Sequence, residues 1–562
     1  MKKKIGLLLL SAFAVFSLTS CEELLYSILG VDSLDLSSQN GGSDYQGTSS
    51  SNNESSESQD TQSSSSDSSS SSVPVTNTIE AKKASSNYMD FIENNAYPLS
   101  STPCVGSAHI LVIPVWFTDS STFIKSSTNK ANVKSDIETA YFGTNSNTGW
   151  RSVKTYYEEE SFGALTLTGK VSDWYECSYS YSRFTSDDDT SKTTSLISEA
   201  TDWYFRNNSS DNRKNYDRDR DGYLDGVMVI YAAPDYGTWN KDNYDNLWAY
   251  CFWAQDYSAK NTNSPGLNAF FWASYDFMYG SNTASKRSGS SYAGGDTRYC
   301  TLDTHTYIHE MGHMFGLDDY YDYSTQYTPA GSFSMQDCNV GGHDPFSSYA
   351  LGWGKAYVPT ESMTITLKPF QTSGEMILLS PSFNSYNSPF DEYLLLEYYT
   401  PTGLNQFDTT NQYNYPYDYP TGTTSQGIRL WHVDARLAYT NDGNFSASKL
   451  TTNPKISYNI VTMAMSNTYN KSGYEDYISV LGSNYANYNI LQMIRNNTTS
   501  TYRPKDDLSA NNLFKAGSSF NMSDYGRQFV KTGKLNSNID LGFTFTVDSL
   551  NNNQATITIN KL

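Results

Sequence analysis

A short stretch near the middle of the chain combines residue types that bind a metal ion and use it. It reads His309-Glu310-Met311-Gly312-His313, an HExxH pattern. On a helix, residues four apart lie on the same face, so His309 and His313 can direct both imidazoles at one ion. Glu310 can then act as general base on a water held there. The pattern predicts a catalytic zinc site, because zinc suits two imidazoles, one oxygen ligand and an open fourth position.

The residues after this motif can supply the third ligand. Gly316 lies three positions past the second histidine and is suited to end the helix in a left-handed turn. Asp319 follows three positions later, which gives the pattern HExxHxxGxxD. The adjacent Asp318 is an alternative ligand. A glutamate from a second helix is disfavoured, because the next glutamate along the chain is Glu361, in strand-like sequence.

A second acidic motif lies earlier in the chain and reads DRDRDGYLD. It places Asp217, Asp219, Asp221 and Asp225 at positions 1, 3, 5 and 9, with glycine at position 6. In calcium loops, oxygens at these positions converge on a hard cation, so we predict a bound calcium ion that braces the domain. The twelfth-position glutamate of an EF-hand is missing, because Met228 stands there. The alternative is a polar turn whose arginines neutralise the acids.

The elements that must position these motifs change in type along the chain. The first part alternates predicted strands at 109–117, 164–169, 226–231 and 269–278 with predicted helices at 133–142, 153–160 and 194–206. Beyond about residue 355 the pattern is one of strands and turns, at 363–367, 393–399, 427–433, 542–547 and 555–559. We therefore predict an α+β protein with a catalytic domain at 101–357 and a β-rich C-terminal region at 358–562.

The first hundred residues are predicted to export and anchor the protein. Residues 1–20 combine early lysines with a short apolar run, which is typical of a signal peptide. They end in Leu-Thr-Ser before Cys21, which resembles a bacterial lipobox, so we expect a lipoprotein held at the membrane through acylated Cys21. The alternative is an ordinary signal peptide with a chance cysteine. Residues 21–100 are serine-rich and acidic, which predicts a disordered tether.

The charge balance excludes one class of partner. The chain carries 38 Lys and Arg against 59 Asp and Glu, a formal charge of −21. No basic stripe exists to neutralise phosphates, so nucleic-acid binding is not expected. We expect an exported monomer whose partners are extracellular proteins or peptides.

Several segments together resemble the immune inhibitor A-type secreted metallopeptidases, which are relatives of the metzincins. The resemblance is carried by the zinc-helix motif and its exit, by 152–174, by Ser-Phe-Ser-Met335, by Leu-Gly-Trp353, by 392–397 and by 427–434. It extends over roughly residues 105–562. It implies a metzincin-like zinc endopeptidase that binds its substrate along the edge of a cleft. It also implies that Met335 lies in a Met-turn that forms a hydrophobic floor beneath the metal.

The sequence departs from the family pattern in two places. Asp318 stands where the family usually has proline before the aspartate ligand. No tyrosine follows the Met-turn at the short spacing that some metzincins use to stabilise the oxyanion, which leaves Tyr320, Tyr321 and His343 as candidates. Cys104 is either a thiolate that blocks the zinc before activation or a buried or paired cysteine.

Two functions follow from these patterns. The first is a cell-surface zinc-dependent endopeptidase that hydrolyses extracellular proteins with a metal-activated water. The second is a catalytically inactive adhesin, or a protein- or glycan-binding lipoprotein, that retains the protease fold. Glu310 favours the enzyme, because a binding module has no need of a general base beside the two histidines.

Overall fold

The fold is described from a computed structural model. It covers residues 77–85, 102–184, 190–234, 247–254, 257–282, 301–323, 326–410, 419–440, 449–456, 460–463, 465–468 and 488–562. The predicted signal peptide, Cys21 and most of the predicted tether lie outside these residues and stay predictions. Within the described ranges, no helix combines the length and the apolar character needed to cross a membrane.

The part of the chain before residue 355 is built on a six-stranded sheet. Its strands are β1 (Gly106–Trp116), β2 (Leu165–Val171), β3 (Tyr175–Glu176), β4 (Val227–Tyr231), β5 (Tyr250–Trp253) and β6 (Ala269–Ser274). The order is β2-β1-β4-β6-β5, with β3 also paired to β1. All pairs are parallel except β5 with β6, which is antiparallel. Every position of β4 and β6 is buried, as expected where both faces of a sheet are covered.

Strand β6 is shorter than the sequence predicts. The apolar run 269–278 suggests one strand, but β6 ends at Ser274 and residues 275–282 form a 3-10 helix. The Ser274 hydroxyl accepts a hydrogen bond from the backbone N–H of Asp276 at 3.0 Å and donates one to the carbonyl of Ala233 at 2.6 Å. This local turn replaces the ladder bonds that would have continued the strand.

Helices cover both faces of the sheet. They are α1 (Ser127–Phe142), α2 (Asn145–Thr148), α3 (Val153–Glu160), α4 (Thr190–Asn207), α5 (His305–Met314) and α6 (Pro345–Ala350). Alternate residues of β1 enter different cores, with Ile110 and Val112 on one face and Leu111 and Ile113 on the other. Apolar residues of α1, α3 and α5 belong to the first core, and those of α4 to the second. The period of two along β1 therefore places α5 on one defined face.

The rest of the chain is formed mainly by strands. They are β7 (Lys355–Tyr357), β8 (Met363–Leu367), β9 (Glu375–Leu379), β10 (Glu392–Tyr399), β11 (Gly427–Asp434), β12 (Leu437–Thr440), β13 (Lys449–Thr451), β14 (Ile460–Met463), β15 (Leu491–Ile494), β16 (Ser519–Phe520), β17 (Phe543–Asn551) and β18 (Gln554–Lys561). Two short helices accompany them, α7 (Phe370–Ser373) and α8 (Gln406–Thr410). The strands form sheets in the orders β15-β11-β10-β9-β7, β16-β17-β18-β8 and β13-β12-β14.

The five-stranded sheet joins the two parts of the molecule. Leu378 and Leu395 on one of its faces share a core with α5 and the Met335 segment. Leu394 and Ile377 on its other face pack with the sheet that contains β17 and β18. The core is therefore continuous across residue 357, and the strands after it help to support the helix that carries the HExxH motif.

Residues 77–85 lie in the sequence predicted to be a disordered tether, yet they pack on the folded part. Asn77 exchanges two hydrogen bonds with the backbone of Thr366, at 2.8 and 2.7 Å. Lys82 and Ala356 form an antiparallel bridge on β7, the edge strand of the five-stranded sheet. The prediction of disorder does not hold for this segment, because an unpaired sheet edge offers backbone partners that composition does not reveal.

Candidate active site

The HExxH motif lies on a helix, as its sequence predicts. Helix α5 begins at His305, and Gly316 follows its end with a φ of 102°. The N–H of Leu317 donates to the carbonyl of Gly312 at 3.2 Å, and that of Gly316 donates to the carbonyl of His313 at 2.8 Å. This pair of bonds is a Schellman ending, in which glycine takes the left-handed position. The chain reverses there and brings Asp319 back to the side of the helix that carries His309 and His313.

Three side-chain atoms converge where the chain returns. The Nε2 atoms of His309 and His313 are 3.3 Å apart, and Oδ1 of Asp319 lies 3.1 and 3.2 Å from them. Ligand atoms about 2.0–2.1 Å from a tetrahedral zinc ion are themselves about 3.3 Å apart. The spacing of the three atoms therefore fits zinc, with a fourth position left open.

Backbone carbonyls determine which ring nitrogen of each histidine carries the hydrogen. Nδ1 of His309 lies 2.7 Å from the carbonyl of Met335, and Nδ1 of His313 lies 2.8 Å from the carbonyl of Leu317. A carbonyl only accepts, so each Nδ1 carries a hydrogen, and in the neutral imidazole the Nε2 that faces the other ligands is left as a lone-pair donor. Such outer contacts orient metal-binding histidines in proteins.

The structure distinguishes between the two aspartates considered as third ligands. Asp319 belongs to the converging group, whereas Asp318 does not. The second oxygen of Asp319, Oδ2, accepts a hydrogen bond from the Tyr323 hydroxyl at 2.6 Å. Burial raises the pKa of Asp318 to about 7, which favours a neutral acid over a ligand. The geometry therefore favours Asp319.

The charges of the site are strongly coupled. Burial opposes a charged His313, but the carboxylates of Asp319 and Glu310 outweigh it and raise the pKa of His313 to about 10. Burial would raise the pKa of Asp319, yet the two histidines hold it well below its ordinary value. Without a cation, the site keeps an imidazolium beside a carboxylate, and a divalent ion would replace that proton.

Glu310 is buried beside the histidines, with only 2% of its surface exposed. Burial raises the pKa of its carboxyl, against the lowering effect of His313 and His309. Its helix is fixed from outside, since the thiol of Cys251 donates to the Glu310 carbonyl at 2.8 Å and the hydroxyl of Tyr157 to the Ile308 carbonyl at 2.5 Å. A buried carboxyl with a raised pKa suits a group that both accepts and returns a proton.

Gln336 is a neighbour of the site that the sequence does not reveal. Its Nε2 lies 3.4 Å from Nδ1 and 3.5 Å from Nε2 of His313. A Cβ at Gly312 would overlap the Gln336 amide, so only glycine fits there without a shift. The backbone of the preceding residue, Met335, binds His309, and the signal that could have suggested Gln336 is its position directly after this methionine.

The three residues predicted to stabilise the oxyanion occupy different places. The hydroxyl of Tyr320 lies 3.1 Å from that of Ser347, and the ring of Tyr321 packs against Tyr323 at 5.1 Å. His343 is buried among aromatic rings, burial lowers its pKa to about 3, and neither ring nitrogen has a hydrogen-bond partner in the described part of the chain. Tyr323, which the sequence alone does not single out, is the tyrosine whose hydroxyl contacts Asp319.

Cys104 is buried away from the converging atoms. Its thiol donates to the carbonyl of Leu351 at 3.5 Å, and the Trp353 indole donates to the Cys104 carbonyl at 2.6 Å. These contacts favour the buried cysteine over a thiolate that blocks the metal, because the metal-binding group contains only the two histidines and Asp319 among the described residues.

The acidic loop brings three of its four predicted ligands together. One oxygen each of Asp217, Asp219 and Asp225 lies within 4.8 Å of the others. Burial and a neighbouring carboxylate raise the pKa of Asp219 to about 7, and burial raises that of Asp225 to about 8. Oδ1 of Asp217 is buried and has no hydrogen-bond partner within the described ranges. An oxygen-preferring cation would satisfy this group.

Two observations limit that assignment. Asp221 is absent from the converging group, and its Oδ1 accepts the N–H of Tyr223 at 2.8 Å. Asp225 already accepts backbone N–H groups of His109 and Arg218, at 2.6 and 2.7 Å. Asp225 therefore braces β1 against the loop in addition to any contact with an ion.

These features define the class of the protein. Two histidines four apart on a buried helix, a returning aspartate and a buried glutamate form the site of a metal-dependent peptidase. Residues 109–338 match the model of the immune inhibitor A peptidase M6 catalytic domain, so this part of the chain is similar to the catalytic domain of a metallopeptidase. The matched segment contains the HExxH helix, Asp319, Met335 and the acidic loop. A search of curated proteins returned no match.

Proposed function

We propose that this protein is a zinc-dependent endopeptidase that hydrolyses peptide bonds in extracellular proteins. The observation that carries the proposal is the triangle of Nε2, Nε2 and Oδ1 atoms with sides of 3.1–3.3 Å. It is supported by the two backbone carbonyls that leave both Nε2 atoms as lone-pair donors. The family match supports a peptidase. Peptidases of this family depend on a metal ion, which is typically zinc.

Three residues bind the metal in this proposal, and a fourth transfers protons. His309, His313 and Asp319 hold the zinc ion, which when bound acts as a Lewis acid and lowers the pKa of a water. Glu310 takes a proton from the attacking water as the oxygen bonds to the peptide carbonyl carbon. It then delivers that proton to the amine nitrogen as the C–N bond breaks. Burial of Glu310 supports this role, because its raised pKa makes the carboxylate a stronger base towards the proton of the attacking water.

The architecture we propose is a metzincin-like catalytic domain at 101–357 followed by a β-rich region at 358–562. Gly316 supports it by turning the chain so that Asp319 meets the helix. Met335 supports it through its carbonyl bond to His309, as expected of a Met-turn beneath the metal. The lipobox-like sequence before Cys21 supports an exported protein that is anchored to the membrane at the cell surface.

We also propose a structural calcium ion in the acidic loop. The supporting observation is the group formed by Asp217, Asp219 and Asp225, with a buried and unpartnered oxygen on Asp217. These residues would supply carboxylate oxygens, and backbone carbonyls or waters would complete the six to eight ligands that calcium takes. The ion would stabilise the loop between α4 and β4 and take no part in the hydrolysis.

Casein hydrolysis tests the proposed function. The protein would be assayed as purified, after removal of zinc by a zinc-selective chelator, and after zinc is added back, with calcium present throughout. We expect activity to disappear with the chelator and to return with zinc, and His313→Ala to lack both zinc and activity. Activity that survives removal of zinc would contradict the zinc mechanism. A protein that binds zinc but cleaves nothing would favour a binding protein instead.

A further inference from the structure

The third ligand lies on a segment that is not itself part of a helix or a strand. Helix α5 ends before Gly316, and residues 317–320 have no regular secondary structure. Asp319 must nevertheless hold its Oδ1 close to both imidazoles for the metal site to form. The contacts that fix this segment therefore contribute to the affinity of the site for its metal ion.

The first contact is the hydroxyl of Tyr323. It donates to Oδ2 of Asp319 at 2.6 Å, while Oδ1 is the oxygen that faces the two histidines. A hydrogen bond on one oxygen limits rotation of the carboxylate and leaves the other oxygen to bind the ion. The backbone N–H of Tyr323 donates a hydrogen bond to Oγ1 of Thr468 at 3.4 Å, and this bond helps to hold Tyr323 in position.

The second contact comes from Asn467, 147 residues further along the chain. Its amide Nδ2 donates to the carbonyl of Tyr320 at 2.7 Å and to the carbonyl of Leu491 at 2.8 Å, and its Oδ1 accepts the N–H of Leu491 at 3.2 Å. Only 1% of Asn467 is exposed. Since Leu491 begins β15, one side chain ties the residue after Asp319 to the five-stranded sheet.

We propose that Tyr323 and Asn467 are positioning residues for Asp319, and that the zinc affinity of the catalytic domain depends through them on the C-terminal region. The inference rests on the proposed zinc site. Tyr323 sets the orientation of the carboxylate, and Asn467 sets the position of the backbone that carries it. The C-terminal strands thus complete a metal site whose ligands all lie in the catalytic domain.

The test measures zinc binding by the full chain through competition with a coloured chelator. The variants are Tyr323→Phe, which removes only the hydroxyl, and Asn467→Ala. We expect each to weaken zinc binding by about 10- to 100-fold, the usual effect of losing a contact to a metal ligand. At saturating zinc, kcat should recover in Tyr323→Phe more fully than in Asp319→Asn, because the ligand itself is intact.

Matched controls separate positioning from general stability. Tyr398→Phe removes a hydroxyl that donates to the carbonyl of Asn551, and Asn496→Ala removes an amide that donates to the Leu513 carbonyl. Both lie in the C-terminal region away from the ligand segment, and we expect them to leave zinc affinity within about twofold of the parent. Urea unfolding of each metal-free variant measures its stability without the contribution of zinc.

The outcomes distinguish this inference from the proposed function. If Asp319→Asn weakens zinc binding but Tyr323→Phe and Asn467→Ala bind like the parent, the positioning role is wrong and the zinc site stands. If the two controls lose as much affinity as the two variants, the effect is one of general stability and the inference is again overturned. If the parent binds no zinc, the proposed function fails and this inference fails with it.

Discussion

At the scale of single residues, the metal site is a set of groups that stabilise one another's charges before any ion arrives. His313 has a pKa raised to about 10 because Asp319 and Glu310 outweigh its burial. Asp319 remains ionised because the histidines lie within 3.2 Å of its Oδ1. A ligand histidine must be neutral to bind zinc, so the ion and the proton compete for the same atom.

We expect zinc binding at pH 6 to release about one proton per chain from His313. At this pH the imidazole is charged in the metal-free protein, because its pKa lies near 10, whereas a water on zinc, with a pKa of about 7, is still largely protonated. Calorimetry in buffers of different ionisation enthalpy measures the release, with the protein saturated with calcium beforehand. Zinc binding without proton release would show that His313 is already neutral and that its coupling to Asp319 is weak.

At the scale of the element, helix α5 uses two glycines for different physical reasons. Gly316 is required by the backbone, since its φ of 102° is costly for other residues. Gly312 lies within the helix, where glycine is unfavourable by about 1 kcal/mol relative to alanine. Its constraint is one of space, because the end of the buried Gln336 side chain occupies the volume of its missing Cβ and would have to shift to admit another residue.

We expect Gly312→Ala to destabilise the protein by about 1–3 kcal/mol, the usual cost of overpacking a buried position, in spite of the better helix propensity of alanine. The double variant with Gln336→Ala should recover stability, because the overlap is removed. Urea unfolding of the metal-free proteins in a double-mutant cycle measures both effects. A single variant that is more stable than the parent would mean that the Gln336 side chain moves aside at little cost.

Much of this element could be predicted from the sequence, because it depends on local spacing. His309, His313 and Gly316 follow from the period of a helix and the way a helix ends, and Asp319 from the length of the returning turn. Gln336, Tyr323 and Asn467 could not be predicted, because they reach the site only through the packing of distant segments.

At the scale of the whole molecule, some of the acidic side chains are exposed to solvent and others are buried in the fold. The chain has a formal charge of −21, and part of its acidity is folded into the loop of Asp217, Asp219 and Asp225. The raised pKa values of Asp219 and Asp225, about 7 and 8, mean that ionisation is costly in the folded state without a cation. The unfolded chain ionises these groups near pH 4, so their effect on stability changes between about pH 4 and pH 8.

We expect calcium to stabilise the folded protein more as the pH rises through this window. The folded state holds more protons at these carboxyls than the unfolded state, so without calcium their contribution becomes more destabilising between pH 4 and pH 8. Calcium removes that penalty by pairing with the ionised groups. The increase in Tm on adding calcium to zinc-loaded protein should therefore be larger at pH 8 than at pH 5, and smaller in Asp217→Asn. An increase that is the same at both values would place the calcium effect elsewhere.

The N-terminal boundary of the folded part also differs from what composition predicts. Serine-rich sequence suggested a free tether up to residue 100, but Asn77 and Lys82 bind the backbone beside β8 and β7. Composition reports how much apolar surface a segment can bury, and it does not report the backbone hydrogen bonds that a sheet edge can offer.

We expect a chain that begins at residue 86 to be about 1–3 kcal/mol less stable than one that begins at residue 77. The reason is the loss of several backbone hydrogen bonds, each with a net contribution of about 0.5–1.5 kcal/mol, offset by the freedom that the segment regains. Urea unfolding of the two chains, both loaded with zinc and calcium, measures the difference. Equal stability would show that the segment is not bound to β7 in solution.

The central claim is that Glu310 transfers protons at a zinc ion held by His309, His313 and Asp319. It is tested most directly by measuring zinc content and kcat on one peptide substrate for the parent, Glu310→Gln and the control Glu361→Gln, whose side chain is exposed. We expect all three to hold one catalytic zinc per chain, the control to match the parent, and Glu310→Gln to lose about 10²- to 10⁴-fold in kcat. A Glu310→Gln protein that binds zinc and cleaves the peptide at the parent's rate would contradict the claim.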